Sequence, residues 1–151
     1  MQRSKRITKV AEIAEREEKI AAEKFQNALS NYQNANNKLT ELAEYHAEYS
    51  QRSKPAAGNL NLSSLQDTRA FLRKLSEVIT IQKSVVNQSE LQLEKARQHW
   101  LEKKQKTTSL DRLAHNYRKE EHAELARREQ LNSDDLNVLR FSWMQRQQSA
   151  Q

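Results

Sequence analysis

The chain has 151 residues, with 26 Lys and Arg against 20 Asp and Glu, giving a net charge of +6. Hydrophobic residues make up only 36% and the mean hydropathy is −1.04, which is too little apolar mass for a broad core and leaves no run long enough for a signal core or a membrane span. The absence of cysteine excludes disulfides and thiolate metal sites, and one glycine with one proline excludes a phosphate-cradling glycine loop.

Behind the basic opening Arg3, Lys5 and Arg6, a helix is expected over about residues 4–52. One position recurs every seven residues as Ile7, Ala14, Ala21, Ala28, Ala35, Leu42 and Tyr49. Its companion, four residues on, reads Ala11, Glu18, Phe25, Tyr32, Leu39 and His46. That spacing is a coiled-coil seam, and the intervening Glu, Lys, Gln, Ala and Arg are good helix formers.

The segment of about 53–62 holds both Pro55 and Gly58 and is the only stretch with turn chemistry. After it, Ser63 and Gln66 offer a capping box for a second helix over about 63–131. Its seam is Leu65, Leu72, Ile79, Val86, Leu93, Trp100, Thr107 and Ala114, with Leu75, Gln82, Ser89, Ala96, Lys103, Leu110 and Tyr117 three residues behind.

Folding the chain about this turn sets Leu42 against Leu75, Ala35 against Gln82, and Ala21 against Ala96. It also sets Phe25 near Leu93 and Glu18 near Trp100, so small faces small and large faces large. The fold expected is all-α, a long antiparallel two-helix coiled-coil hairpin forming a single domain over residues 1–151. An antiparallel dimer reuses the same register and stays open as an alternative. The arms are unequal, about 67 Å against about 100 Å as helix. The last twenty or so residues of the second helix, with Leu110, Leu113, Tyr117 and Leu125, are therefore expected to overhang.

Asn132, Ser133, Asp134 and Asp135 read as a helix stop followed by a new cap. They open a short terminal helix over about 135–144 with Leu136, Leu139, Phe141 and Trp143, and a polar tail over 145–151 that frays.

A hairpin of this kind offers ridges and one narrow seam, not a shielded cleft, so no catalytic residue, cofactor site or metal site is expected. His115 and His122 share a face, but seven residues is poor ligand spacing, and His46 falls in the seam beside Leu72. Carboxylate runs such as Glu15, Glu17 and Glu18 are what a solvated helix face contains.

Two surfaces stand out. Arg3, Lys5, Arg6 and Lys9 on the first helix and Lys103, Lys104, Lys106 and Arg112 on the second are brought together by the antiparallel register. They form either a solvated basic end or a docking surface for an acidic protein. Nucleic acid is unlikely, because acidic residues are interleaved almost everywhere and no aromatic stacking platform accompanies the basic ones. Beside the turn, Tyr45 flanks Leu42 and Tyr49, while Phe71, Val78 and Val85 each precede a seam position. These form either a widened seam or an exposed apolar stripe of the kind that marks a partner.

At these residues the sequence resembles the FliJ family of flagellar export proteins. Leu39 to Tyr49 carries that family's L-x-x-L-x-x-Y-x-x-x-Y signature. Phe71-Leu72-Arg73-Lys74-Leu75 with Ile79 and Gln82, Trp100 with Lys103 and Lys104, and the opening Val10 to Glu18 are similar as well, so the likeness covers essentially the whole chain. The resemblance implies a cytoplasmic component of the flagellar type III export apparatus, peripheral to the inner membrane at the flagellar base. It implies a non-enzymatic coiled coil similar to the rotor stalk of the F1 ATPase. Its termini would engage the ring of the export ATPase FliI, and a patch near the turn would contact the export gate protein FlhA. An escort role for export chaperones is implied too. Carried over by position, the gate-facing residues are Leu42, Tyr45, Tyr49, Phe71, Leu75, Val78 and Gln82. The stalk protein of a virulence-type injectisome and a generic coiled-coil scaffold are the alternatives.

Overall fold

A computed structural model describes residues 2–52 and 62–150. The turn expected around Pro55 and Gly58 falls on 53–61, outside the described residues. Two helices make up the described chain, α1 (Arg3–Arg52) and α2 (Leu62–Ser149). Their contacts gather into two units, one of residues 17–103 and one combining residues up to 16 with those from 104 onward.

Within the unit of residues 17–103 the two helices run antiparallel. Residues of rising number on α1 meet residues of falling number on α2: Glu17 with Lys103, Ala35 with Gln82, His46 with Ser76, and Tyr49 with Phe71. Every seam position expected from the heptads is buried or half-buried here, with Ala21, Ala35, Leu75, Gln82 and Val86 the most enclosed. The register sets Phe25 near Leu93 and Trp100 near Glu18, and the two aromatic rings also meet each other. Phe25 stacks on Trp100, with ring centroids 5.6 Å apart and planes 9° apart. Long side chains lean toward the N-terminus of their own helix, and in an antiparallel pair the two leans are opposed along the axis. Rings whose Cα atoms are offset by about a turn each therefore meet diagonally.

In the other unit, Ser4, Ala11 and Ala14 of α1 and Thr107 and Ala114 of α2 are buried. Arg3 lies over the ring of Tyr117 at 5.9 Å, and Ser4 bonds Glu121. α1 thus covers α2 as far as Glu121, and residues 122–150 are exposed throughout. The overhang therefore starts about three turns later than expected, and Leu110 and Tyr117 are half-buried.

Two expected boundaries are also corrected. Leu62 is already helical, so Ser63 lies inside the first turn of α2 and does not cap it. The stop at Asn132–Asp135 and the separate short terminal helix do not form, since α2 continues without interruption to Ser149 and includes most of the expected tail. Asn, Ser and Asp each weaken a helix by only tenths of a kcal/mol, and no Pro or Gly accompanies them. The Asp134 carboxylate accepts from Gln130 Nε2 one turn back, at 3.2 Å, which spends it on the helix surface and not on a cap.

Threonines inside the helices are settled in the same way. Thr8, Thr40, Thr68, Thr80 and Thr108 each donate their hydroxyl to the carbonyl four residues back.

Candidate functional site

The unit of residues 17–103 carries a compact aromatic group. Tyr45 and Tyr49 are one turn apart on α1, with ring centroids 5.4 Å apart, and Phe71 of α2 touches both, at 6.2 Å and 4.7 Å. Tyr45 is 46% exposed and Phe71 38%. One and two heptads along α2 from Phe71, Val78 and Val85 are exposed at 45% and 41%. The stripe is therefore on the surface and not the edge of a widened seam. Each of its α2 members sits one residue ahead of a seam position, which turns it about 100° off the buried face.

The other residues expected here divide by depth. Leu42 and Tyr49 are half-buried, whereas Leu75 and Gln82 lie inside the seam. The Gln82 side chain donates to the Ala35 carbonyl at 2.9 Å, giving that oxygen a donor from the facing helix. Gln82 and Leu75 therefore shape this surface from beneath. His46 shares a 3.2 Å hydrogen bond with the Ser76 hydroxyl.

The other unit carries Arg3, Lys5, Arg6, Lys9, Lys104, Lys106 and Arg112, all exposed. With Arg3 level with Tyr117, Lys9 comes abreast of about residue 112, so Arg112 joins the N-terminal group. Lys104 and Lys106 lie about two turns further along, level with residues 14–16. Lys103 belongs to the unit of residues 17–103, where it is half-buried and paired with Glu17 at 3.0 Å.

One arrangement was not foreseen. The first turn of α1 is Arg-Ser-Lys-Arg, with no acidic residue to offset the positive end of the helix dipole. Glu121 of α2 supplies the missing charge. Its Oε1 accepts from the Ser4 backbone N–H at 3.1 Å and its Oε2 from the Ser4 hydroxyl at 2.5 Å. The hydroxyl bond, then the backbone bond, hold the Glu121 carboxyl below the usual carboxylate range; the Lys5 charge adds to them and partial burial opposes them. The heptad series Thr107, Ala114, Glu121 pointed to this position, but the series reads as packing and gives no sign of a helix N-terminus opposite.

These surfaces are open to solvent. The cavities beside them are open grooves, and among the described residues no group of three or more His, Cys, Asp or Glu could hold a metal ion. No described helix is long and apolar enough to cross a membrane.

In comparisons with known proteins, no curated protein and no solved structure matches the chain. A family model described as "Flagellar FliJ protein" matches residues 3–147. That match takes in both helices, the aromatic group and the basic residues alike, and the chain belongs to the FliJ family of flagellar export proteins.

Proposed function

We propose that this protein is a non-enzymatic coupling component of flagellar export, working by docking to other parts of the apparatus through its two surfaces. The observation that carries the reading is the exposed row Tyr45, Phe71 and Val78, which leaves aromatic and aliphatic area open to solvent within the stretch the family model matches. A monomer has little reason to leave such a row uncovered, and apolar area of this kind is what a partner buries. On this reading the row, with Leu42 and Tyr49 at its margin and Leu75 and Gln82 supporting it, docks on the cytoplasmic part of the export gate FlhA.

The basic residues Arg3, Lys5, Arg6, Lys9, Lys104, Lys106 and Arg112 dock on acidic surface of the FliI ATPase ring. Lys103 contributes through its position beside Glu17. Docking of this kind alters a ring by binding one subunit state better than another, without any chemistry on this chain. Escort of export chaperones uses the same capacity for helix-on-helix contact, and attachment to the membrane base of the flagellum is through these partners.

The test is complementation of a non-motile deletion strain, with pull-down of the gate's cytoplasmic domain and of the ATPase by the purified chain. Tyr45→Ala/Phe71→Ala is expected to lose the gate domain and motility while keeping the ATPase. Lys104→Glu/Lys106→Glu is expected to lose the ATPase in a salt-sensitive manner. Full motility and undiminished capture by both variants would remove the reading.

A further inference from the structure

We propose that the C-terminal part of α2 pairs in antiparallel fashion with the same segment of a second copy of this chain. Beyond Glu121 no residue of α2 is covered, and Leu125, Leu136, Leu139 and Trp143 are 54–66% exposed. These four are not scattered. With Glu129 and Asn132 between them and Arg146 after them, they step along the helix by four and three residues in strict alternation, which is the spacing of a coiled-coil face.

The face continues one already in use. Ala114, Leu125 and Leu136 recur at eleven residues, as do Glu121, Asn132 and Trp143, and eleven residues is about three turns. The side of α2 that α1 covers at Ala114 and Glu121 thus runs on uncovered toward the C-terminus.

Charge selects the occupant and its direction. In an antiparallel pair the layers become Leu136 on Leu139, Asn132 on Trp143, and Glu129 on Arg146, each formed twice by the two-fold axis. Leucines meet at the centre, and opposite charges close both ends. A parallel pair would set Glu129 on Glu129 and Arg146 on Arg146, which opposes pairing at both positions. A second copy laid head to tail therefore satisfies the face with its own sequence. Fewer than three heptads take part, so the association is weak and depends on concentration.

The test is sedimentation equilibrium of the full chain from about 5 µM to about 500 µM, where mass action moves a weak dimer through its transition. The wild type is expected to shift from monomer to dimer. Leu136→Glu/Leu139→Glu is expected to weaken the dimer by at least about tenfold while leaving helix content unchanged. Glu129→Lys and Arg146→Glu should each weaken it several-fold, and the double variant E129K/R146E should regain near-wild-type affinity. A chain that stays monomeric throughout overturns the proposal. So does a dimer insensitive to Leu136→Glu/Leu139→Glu, which would place the contact elsewhere. A dimer to which the double variant restores nothing overturns the antiparallel arrangement.

Discussion

Gln82 is a polar residue in an apolar seam, and its amide is satisfied from the facing helix. The Ala35 carbonyl accepts from Nε2 at 2.9 Å, and sliding either helix by a fraction of a heptad would leave that buried amide without an acceptor. Alanine neighbours on α1 slide past one another more readily than leucines, so a directional bond carries more of the register here than in a leucine-rich coil. Gln82→Ala is expected to cost about 1 kcal/mol, the net contribution of one such bond plus a small void, read from urea denaturation.

Glu121 acts at the same scale through charge. Its carboxyl is held below the ordinary range in the folded chain, so the carboxylate's contribution is fully present above the unfolded-state value. It is lost as pH falls through the lower folded value. The Ser4 amide, protected by Glu121 at neutral pH, should then exchange faster on acidification relative to amides deeper in α1. In Glu121→Gln this extra pH dependence should vanish, leaving Ser4 and its neighbours less protected at neutral pH. Amide exchange of α1 from pH 7 down to about pH 3 checks this. Equal profiles in both proteins would sink the capping role.

At the scale of elements, what was legible and what was not divides along a physical line. Heptad spacing identifies which side of each helix is buried, and the seam series from Ile7 to Tyr49 and from Leu65 to Tyr117 is observed buried or half-buried throughout. Spacing alone says less about which side chain meets which. Phe25 meets Trp100, which the register set near Glu18, because side-chain lean shifts long residues away from the level of their Cα atoms. The surface row at Phe71, Val78 and Val85 could be located but not assigned a depth, since residues at a seam's margin are decided by how closely the helices approach.

The supposed stop at Asn132–Asp135 misleads for a different reason. Capping residues end a helix only where the backbone gains from leaving it, and here Asp134 has a partner one turn back. The segment beyond Glu121 still has no packing from α1, so intrinsic propensity and short-range bonds such as Gln130–Asp134 and Arg128–Glu124 hold it. Ser133→Pro should therefore sever residues 134–149 from the helix, at a cost of about 3 kcal/mol locally. Dilute samples should lose helical ellipticity, while urea stability of the seam changes by less than about 0.5 kcal/mol. A matching loss in the seam would show that the two are coupled.

Taken as a whole molecule, the chain stabilises itself by a shallow seam and not by a core. Among the described residues no large side chain is fully buried; the most enclosed members are alanines, and Leu75 and Val86 retain 8% exposure each. The folded chain exposes 12579 Å², against about 8,000 Å² for a compact domain of this mass and about 26,000 Å² for the unfolded chain. Folding therefore removes about half of the unfolded surface from water, where a compact domain of this length removes about 70%. The heat capacity change and the denaturant dependence of unfolding both scale with that area, and the apolar share of it dominates the first. Unfolding should accordingly show a heat capacity change per residue about a quarter below the globular average of ~12–15 cal/mol/K, with an m-value lowered in proportion. Calorimetry and urea titration on the same dilute sample measure both. Values at the globular average would mean that the monomer buries a core the helices do not show. Values rising with protein concentration would mean that exposed apolar faces are being covered by a second chain.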